Sequence, residues 1–258
     1  MALSPDFRGY APPTSSIAQA GALDQGLRSY MLRVYNWMSS GLALTGIVAW
    51  FIASTPSLMN LFYTRVVTEF GARIQPTGLG FVTMIAPLGF VMVLQFGVNR
   101  LSRTAAQGIY WAFCAVMGAS LTHIFFLYTH TSIASTFFVT GATFASMSIW
   151  GYTTNKDLTG MGSFMMMGLI GILIASVVNM FLHSSMTQML ICVIGVVVFT
   201  GLTAYDTQRI KVDYLNYAHA DGVDGAAKRS VYDALNLYLN FINLFLMLLQ
   251  LFGQRDNR

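Results

Sequence analysis

The sequence predicts an all-α membrane protein with seven transmembrane helices. The first observation is composition: of 258 residues, 55% are hydrophobic and only 9% are charged, with a mean hydropathy of +0.59. A soluble protein of this size has about a quarter of its residues charged, so the surrounding solvent is expected to be lipid. The second observation is that seven apolar stretches have the length of about 20 residues that a bilayer core of about 30 Å requires.

The predicted spans follow one another with short gaps, which indicates a single integral domain over 31–253. They cover residues 31–54, 78–98, 104–128, 132–152, 160–183, 186–210 and 230–253. Residues 1–30 are rich in Pro and Ser, have no apolar core of the signal-peptide kind, and are expected to form a mobile, retained cytoplasmic arm. Residues 254–258 form a short tail. The turns at His130 and His183 are very short, so spans three and four, and five and six, are expected to be tight antiparallel pairs.

Basic residues predict the orientation and weigh against nucleic acid as a partner. They are scattered singly or in pairs at the ends of apolar stretches, although the net charge is +4. If the N-terminus lies in the cytoplasm, ten basic residues lie on that side and four on the other, which satisfies the positive-inside rule. Seven spans then place the C-terminus outside. The cytoplasmic set is Arg8, Arg28, Arg33, Arg100, Arg103, Lys156, Arg209, Lys211, Lys228 and Arg229.

The last span carries a polar seam on an otherwise Leu-, Phe- and Ile-rich helix. Its members recur at steps of three, four, three and seven and so share one helical face: Asp233, Asn236, Asn240, Asn243 and Gln250. Polar groups at membrane depth must face protein or water. The last helix is therefore expected to be central or nearly so, although purely structural hydrogen bonding between helices explains such a seam about equally well.

Span six supplies the expected partner of this seam. Thr200, Thr203 and Asp206 recur every three residues toward the cytoplasmic end, where Arg100 also ends span two. We expect Asp206 and Arg100 to meet across the inner mouth of the bundle. Two plainer alternatives remain open: Asp206 as a helix cap beside Arg209, and Arg100 as an anchor in the headgroups.

Other chemistry has little support in the sequence, and we expect no enzyme and no cofactor. Cys114 and Cys192 both lie in apolar stretches, so no disulfide framework or fixed zinc site is expected. The four histidines lack partners at metal-ligand spacing, and hydrolase and phosphate-loop motifs are missing. Small residues such as Gly41 and Gly162 indicate close helix packing rather than function.

Two segments, TAYDTQRIK at 203–211 and ALNLYLNFINLF at 234–245, resemble the signature blocks of the Bax inhibitor-1 (transmembrane Bax inhibitor motif) family. The resemblance covers roughly residues 33–253. It implies six helices around a central seventh, a proton-sensitive calcium leak, and a pH sensor made of two facing carboxylates with an arginine latch. Carried over, the first carboxylate is Asp206 and the latch is Arg100. The second position holds Asn240, which cannot share a proton with Asp206, so weaker or shifted pH dependence is expected.

Three functions follow, in order of preference. The first is a cation leak, with calcium as the expected ion, bound transiently at Asp206 and passing Asn240 and the supporting residues Asp233, Asn236, Asn243 and Thr203. A monovalent cation or proton path remains an alternative. The second is a non-conducting modulator of a membrane-bound protease or stress-response complex. The third, an intramembrane enzyme, ranks lowest. Compact loops and the type of resemblance suggest a bacterial inner membrane.

Overall fold

The computed structural model describes residues 14–68, 71–97, 101–217 and 222–256. The elements in this part are α1 Thr14–Ser54, α2 Pro56–Phe62, β1 Tyr63–Thr68, β2 Gly71–Pro76, α3 Gly78–Gly97, α4 Arg103–Leu121, α5 Ile124–Leu127, α6 His130–Thr153, α7 Thr159–Leu182, α8 Ser185–Tyr217 and α9 Gly222–Phe252. Seven segments among them are long and apolar enough to cross a membrane, with α4 and α5 forming one of the seven. The predicted all-α membrane fold with seven spans is confirmed.

Helix α1 extends well beyond the predicted first span. It begins at Thr14 rather than near residue 31, so residues 14–30 of the expected arm are helical. Leu27 and Tyr30 are buried in the bundle, which anchors this part of the helix. Residues 1–13 of the expected arm lie outside the described residues.

A two-stranded antiparallel hairpin joins the first two spans, a feature that the sequence reading did not predict. Strands β1 and β2 pair from Tyr63 opposite Pro76 to Thr68 opposite Gly71. Tyr63 is buried and donates a hydrogen bond to the Ser120 carbonyl at 3.3 Å. The hairpin is thereby fixed to the end of α4.

Side chains and one left-handed residue define several helix ends. Ser102 accepts a hydrogen bond from the amide of Ala105 at the start of α4, as expected of an N-cap. At the start of α6, the Thr129 side chain likewise accepts a hydrogen bond from the amide of Ser132. Helix α7 ends at Leu182, and the capping residue His183, with a φ of 51°, turns the chain directly into α8. This left-handed residue explains how α7 and α8 form the predicted antiparallel pair.

Helix α9 is the most extensively buried of the seven spans. Helices α1, α4, α6 and α8 pack along it, while α3 packs mainly on α4 and α7 mainly on α8. Four helices form the main surroundings of α9, whereas the family resemblance implied six. The predicted close pairing of spans three and four is wrong: after the turn at His130, α4 packs on α1, α3 and α9, whereas α6 packs on α8 and α9.

Exposed apolar side chains cover the outer faces of the bundle. The side chains of Phe96, Phe138 and Phe181 are each at least 75% exposed. A soluble protein does not present so many large apolar groups to water, whereas lipid tails accommodate them. Close contacts between helices use glycine, as the sequence suggested: a Cβ on Gly162 would lie 2.4 Å from the Tyr205 ring, and one on Gly41 would collide with Tyr110.

The C-terminal tail returns to the turn between spans three and four. The amide of Thr129 donates to the Gln254 carbonyl and the amide of Asp256 to the Leu127 carbonyl, both at 3.0 Å. These backbone bonds form an antiparallel bridge between Tyr128 and Arg255. The tail therefore fixes the end of α9 to the rest of the bundle.

Candidate functional site

The centre of the candidate site is a contact between α8 and α9. Asn240 donates a hydrogen bond from its side-chain nitrogen to Oδ2 of Asp206 at 2.6 Å. Both residues are buried, with Asp206 8% and Asn240 6% exposed. The sequence predicted that the acid of span six and the amide of span seven would meet, and the structure brings them together. The amide supplies a donor and no titratable proton, so the contact is not a proton-sharing carboxyl pair.

The second oxygen of Asp206 is held by Arg209. The guanidinium Nη2 lies 3.1 Å from Asp206 Oδ1, one helical turn along α8. Arg209 also lies over the ring of Tyr205, at 5.9 Å from the ring centroid. Asp206 therefore lies beside Arg209, as the plainer alternative had it, but it is buried within α8 and does not cap a helix end. Arg100, the expected latch, lies outside the described residues.

Asp233 is the second buried carboxylate in the described part of the chain, at 9% exposure. Tyr30 of α1 donates to its Oδ2 at 2.5 Å. The Tyr30 ring packs on the ring of Tyr214, with centroids 4.8 Å apart. Arg209 is close enough to interact electrostatically with both Asp233 and Asp206. One guanidinium thus interacts electrostatically with two buried acids, which the sequence had placed on separate helices without linking them.

The other seam residues face different neighbours. Asn236 is half-buried and accepts a hydrogen bond from Gln95 of α3 at 3.4 Å. Asn243 is also half-buried. Thr203 is buried and donates to the Phe199 carbonyl of its own helix, so its hydroxyl is occupied locally. The seam residues therefore contact three different helices, α1, α3 and α8, and do not form one continuous polar surface.

A series of hydroxyl groups in contact with one another connects α1 to α8 through α6, and it was not predicted from the sequence. The Tyr35 hydroxyl contacts the Ser148 hydroxyl of α6, which lies 3.0 Å from that of Thr207. Thr207, the residue after Asp206, donates to the Thr203 carbonyl of the same helix at 2.8 Å. The Thr203 to Thr207 spacing is a signal in the sequence, but isolated Tyr and Ser residues are too common to identify their partners.

An amide cluster occupies the opposite end of the bundle. Gln188 of α8 donates to Oε1 of Gln250 at 2.7 Å, and Asn179 of α7 donates to Gln188 at 3.1 Å. The Cys192 thiol points at the same Gln250 oxygen, at 3.2 Å. Gln250 lies 17 residues beyond Asp233, about 25 Å along the helix axis at 1.5 Å per residue. Helix α9 therefore contributes Asp233 to the acidic end and Gln250 to the amide cluster at the other end.

The chemistry available at the acidic end is that of charge and hydrogen bonding. Asp206 and Asp233 present carboxylate oxygens, Arg209 a cation, and Asn240 an amide. In the described residues, no three His, Cys, Asp or Glu side chains lie together as a metal-binding group. An ion binding at Asp206 would thus combine one carboxylate with amide or backbone carbonyl oxygens, a ligand type that calcium accepts.

A family model described as Inhibitor of apoptosis-promoting Bax1 matches residues 27–257. This match begins slightly before, and ends slightly after, the region of resemblance read from the sequence. It includes both segments that carry the resemblance.

Several bacterial proteins are similar to the chain over nearly its full length. The inner membrane protein YbhL of Escherichia coli K12 is 43% identical over 244 residues, which is 95% of this chain and 98% of YbhL. The uncharacterized protein RP147 of Rickettsia prowazekii is 42% identical over 246 residues, 95% of this chain and 98% of RP147. An uncharacterized protein of Caulobacter vibrioides is 41% identical over 249 residues, 96% of this chain and 98% of that protein.

Proposed function

The chain belongs to the Bax inhibitor-1 family, and from this premise we propose that it is a non-enzymatic cation leak pathway, with calcium as the expected ion. We place it in a bacterial inner membrane, as the name of the relative YbhL suggests. The excess of basic residues on one side supports a cytoplasmic N-terminus and a C-terminus on the outer side.

The observation that carries the proposal is the buried Asp206, held by Asn240 and Arg209 inside a membrane span. An acidic side chain at membrane depth costs at least about 2.5 kcal/mol on insertion scales, so such residues mark ion or substrate pathways. Asp233 supplies a second buried carboxylate on the same side of the bundle. Two acids around one arginine attract a cation more readily than Asp206 alone.

The contacts of Asp206 support a closed gate. Arg209 occupies one carboxylate oxygen and Asn240 the other, so a cation has to displace Arg209 before it binds. Arg209 is more than a third exposed, which lets it move toward solvent at low cost. Arg100, the latch that the family resemblance implies, remains a second candidate for this role.

The path along α9 is interrupted by apolar packing. Phe199 of α8 and Leu244 and Leu248 of α9 are buried together between the acidic end and the Gln188–Gln250 cluster. Conduction requires these side chains to separate, since an ion does not cross a dry apolar layer unaided. A low-conductance leak fits this arrangement better than a permanently open pore.

The test is cation flux into liposomes that contain the purified full-length protein. We expect wild-type protein to pass calcium and Asp206→Asn to reduce the flux severalfold, because the substitution removes the buried carboxylate that would bind the ion. Asp157→Asn is the matched control, because Asp157 is an exposed acid in the loop before α7, where hydrogen bonds from Thr159 lower its pKa. Equal flux from wild type and Asp206→Asn would overturn the proposed site. No cation flux from wild type would overturn the leak and favour the modulator of a membrane protease.

A further inference from the structure

A long apolar groove opens between α1 and α6 on the lipid-facing side of the bundle. Its volume is about 920 Å³, within the range of about 300–1,000 Å³ typical of small-molecule sites. Helix α1 lines it from Arg28 to Ile47, and α6 lines it from Phe137 to Tyr152. Ile47 lies 19 residues after Arg28, which corresponds to about 28 Å along the helix axis, close to the thickness of the hydrocarbon core.

The groove exists because α1 and α6 both pack on α9 and α8 without packing closely on each other. Phe241 of α9 forms part of the floor, and Gly46 and Gly141 leave its two walls shallow. A Cβ added to either glycine would meet nothing within 4 Å. The space is therefore large enough for an extended chain and is not filled by the protein's own side chains.

One end of the groove is basic. Arg28 lines that end and is exposed, and within the described part of the chain its guanidinium forms no ion pair or hydrogen bond. Tyr152 lines the same end from α6, and Lys211 donates to its carbonyl at 2.8 Å with its ammonium 5.3 Å from the ring centroid. The remaining length is apolar apart from Ser39 and the Tyr35–Ser148 pair.

We propose that this groove binds an anionic phospholipid, with one acyl chain along the apolar walls and the phosphate at Arg28. The chemistry at each end matches the two parts of such a lipid. Guanidinium groups bind phosphate oxygens in paired hydrogen bonds, and basic pockets between transmembrane helices select anionic headgroups. A zwitterionic lipid brings its own cation next to Arg28 and Lys211, which weakens the same contact.

This site is independent of the leak proposed above, because it lies on the lipid side of α1 and α6 and is defined by binding. The experiment is native mass spectrometry of the delipidated full-length protein in detergent. Phosphatidylglycerol and phosphatidylcholine with identical acyl chains are added in turn. We expect a preference of about fivefold for phosphatidylglycerol, the size expected of one basic residue near a membrane surface. Equal binding of the two lipids would overturn the proposal.

Three variants locate the site. Arg28→Ala is expected to abolish the headgroup preference while leaving residual binding of both lipids. Gly141→Leu fills the groove and is expected to lower the binding of both lipids severalfold. Gly171→Leu is the matched control, because Gly171 is an exposed glycine on α7 with the same open surroundings and lies outside the groove. Retained preference in Arg28→Ala, unchanged lipid binding in Gly141→Leu, or a protein dimer in place of bound lipid would contradict the assignment.

Discussion

Asn240 donates a hydrogen bond to Asp206 across the α8–α9 interface at the position where the family resemblance implies a second carboxylate. The two side chains face each other as two carboxyl groups would, but they share no proton, because an amide does not titrate as a carboxyl group does. Asp233, two turns away on the same helix, is the other buried acid of the described residues. Both acids interact electrostatically with Arg209, and Asp206 is held by an amide in place of a second carboxyl group.

Asn240→Asp is expected to restore a coupled carboxyl pair. Two acids in contact titrate in two steps that belong to the pair, whereas Asp206 beside an amide has one. We expect the pH profile of calcium flux into liposomes to become steeper, approaching a two-proton dependence. Asn243→Asp, one turn further along α9, controls for added charge alone. An unchanged profile in Asn240→Asp would show that this position does not sense protons.

Arg209→Gln is expected to raise the resting cation flux. The pair with Asp206 is partly exposed and so contributes at most about 1 kcal/mol to the closed state, which corresponds to a two- to fivefold change. Lys156→Gln removes an exposed cation on the same side and should leave the flux unchanged. Arg100→Gln tests the latch implied by the family, and an increase in that variant alone would assign the latch to Arg100.

The main features of the site were predictable from sequence because they follow from helix periodicity. Asn240 belongs to the set of polar residues that share one face of α9, and Asp206 is the last of the polar residues that recur every three positions on α8. Charged groups at membrane depth must face the interior of the bundle. The pairing of Asp206 with Arg209 was left open, since the sequence predicts both Arg209 and Arg100 near the same membrane surface. The Tyr35–Ser148 contact was missed because its partners are 113 residues apart and each is ordinary in its own helix.

The fold was predictable to a similar extent. Hydropathy identifies each span, because every span must supply its own apolar length. It does not report which spans are neighbours. Helices α4 and α6 are joined by the short helix α5 and both contact α9, yet α4 otherwise packs on α1 and α3 whereas α6 packs on α8. The hairpin of β1 and β2 was missed because its two strands are short and lie between two predicted spans, where hydropathy gives no signal.

Tyr30→Phe is expected to destabilise the fold by about 1 kcal/mol, because it removes the donor to the buried Asp233 carboxylate. Thermal unfolding of the purified protein in detergent measures this effect. Asp233→Asn should cost less, since the amide oxygen still accepts from Tyr30. The double variant provides the coupling energy of the pair. A coupling energy near zero would show that the Tyr30 hydroxyl does not stabilise Asp233.

Gly151→Ala is expected to lower the unfolding temperature through a clash between α6 and α8. A Cβ at Gly151 would lie 2.2 Å from the Ala204 carbonyl oxygen, and a backbone atom cannot rotate away. Overpacking of this kind costs about 1–3 kcal/mol. Gly141→Ala on the same helix meets nothing within 4 Å and should be neutral or slightly stabilising. Equal unfolding temperatures for Gly151→Ala and wild type would contradict the close contact.

Labelling of single cysteines tests the orientation. The loop before α7 and the turn between α7 and α8 must lie on opposite membrane surfaces, since α7 separates them. The excess of basic residues predicts that Lys156 is cytoplasmic and His183 is on the outer side. In a background where Cys114 and Cys192 are alanine, an impermeant maleimide added to spheroplasts should label His183→Cys and leave Lys156→Cys unreacted until the membrane is opened. The reverse pattern would place the acidic end of α9 on the outer side, and Asp206 would then meet cations entering the cell before the Gln188–Gln250 cluster does.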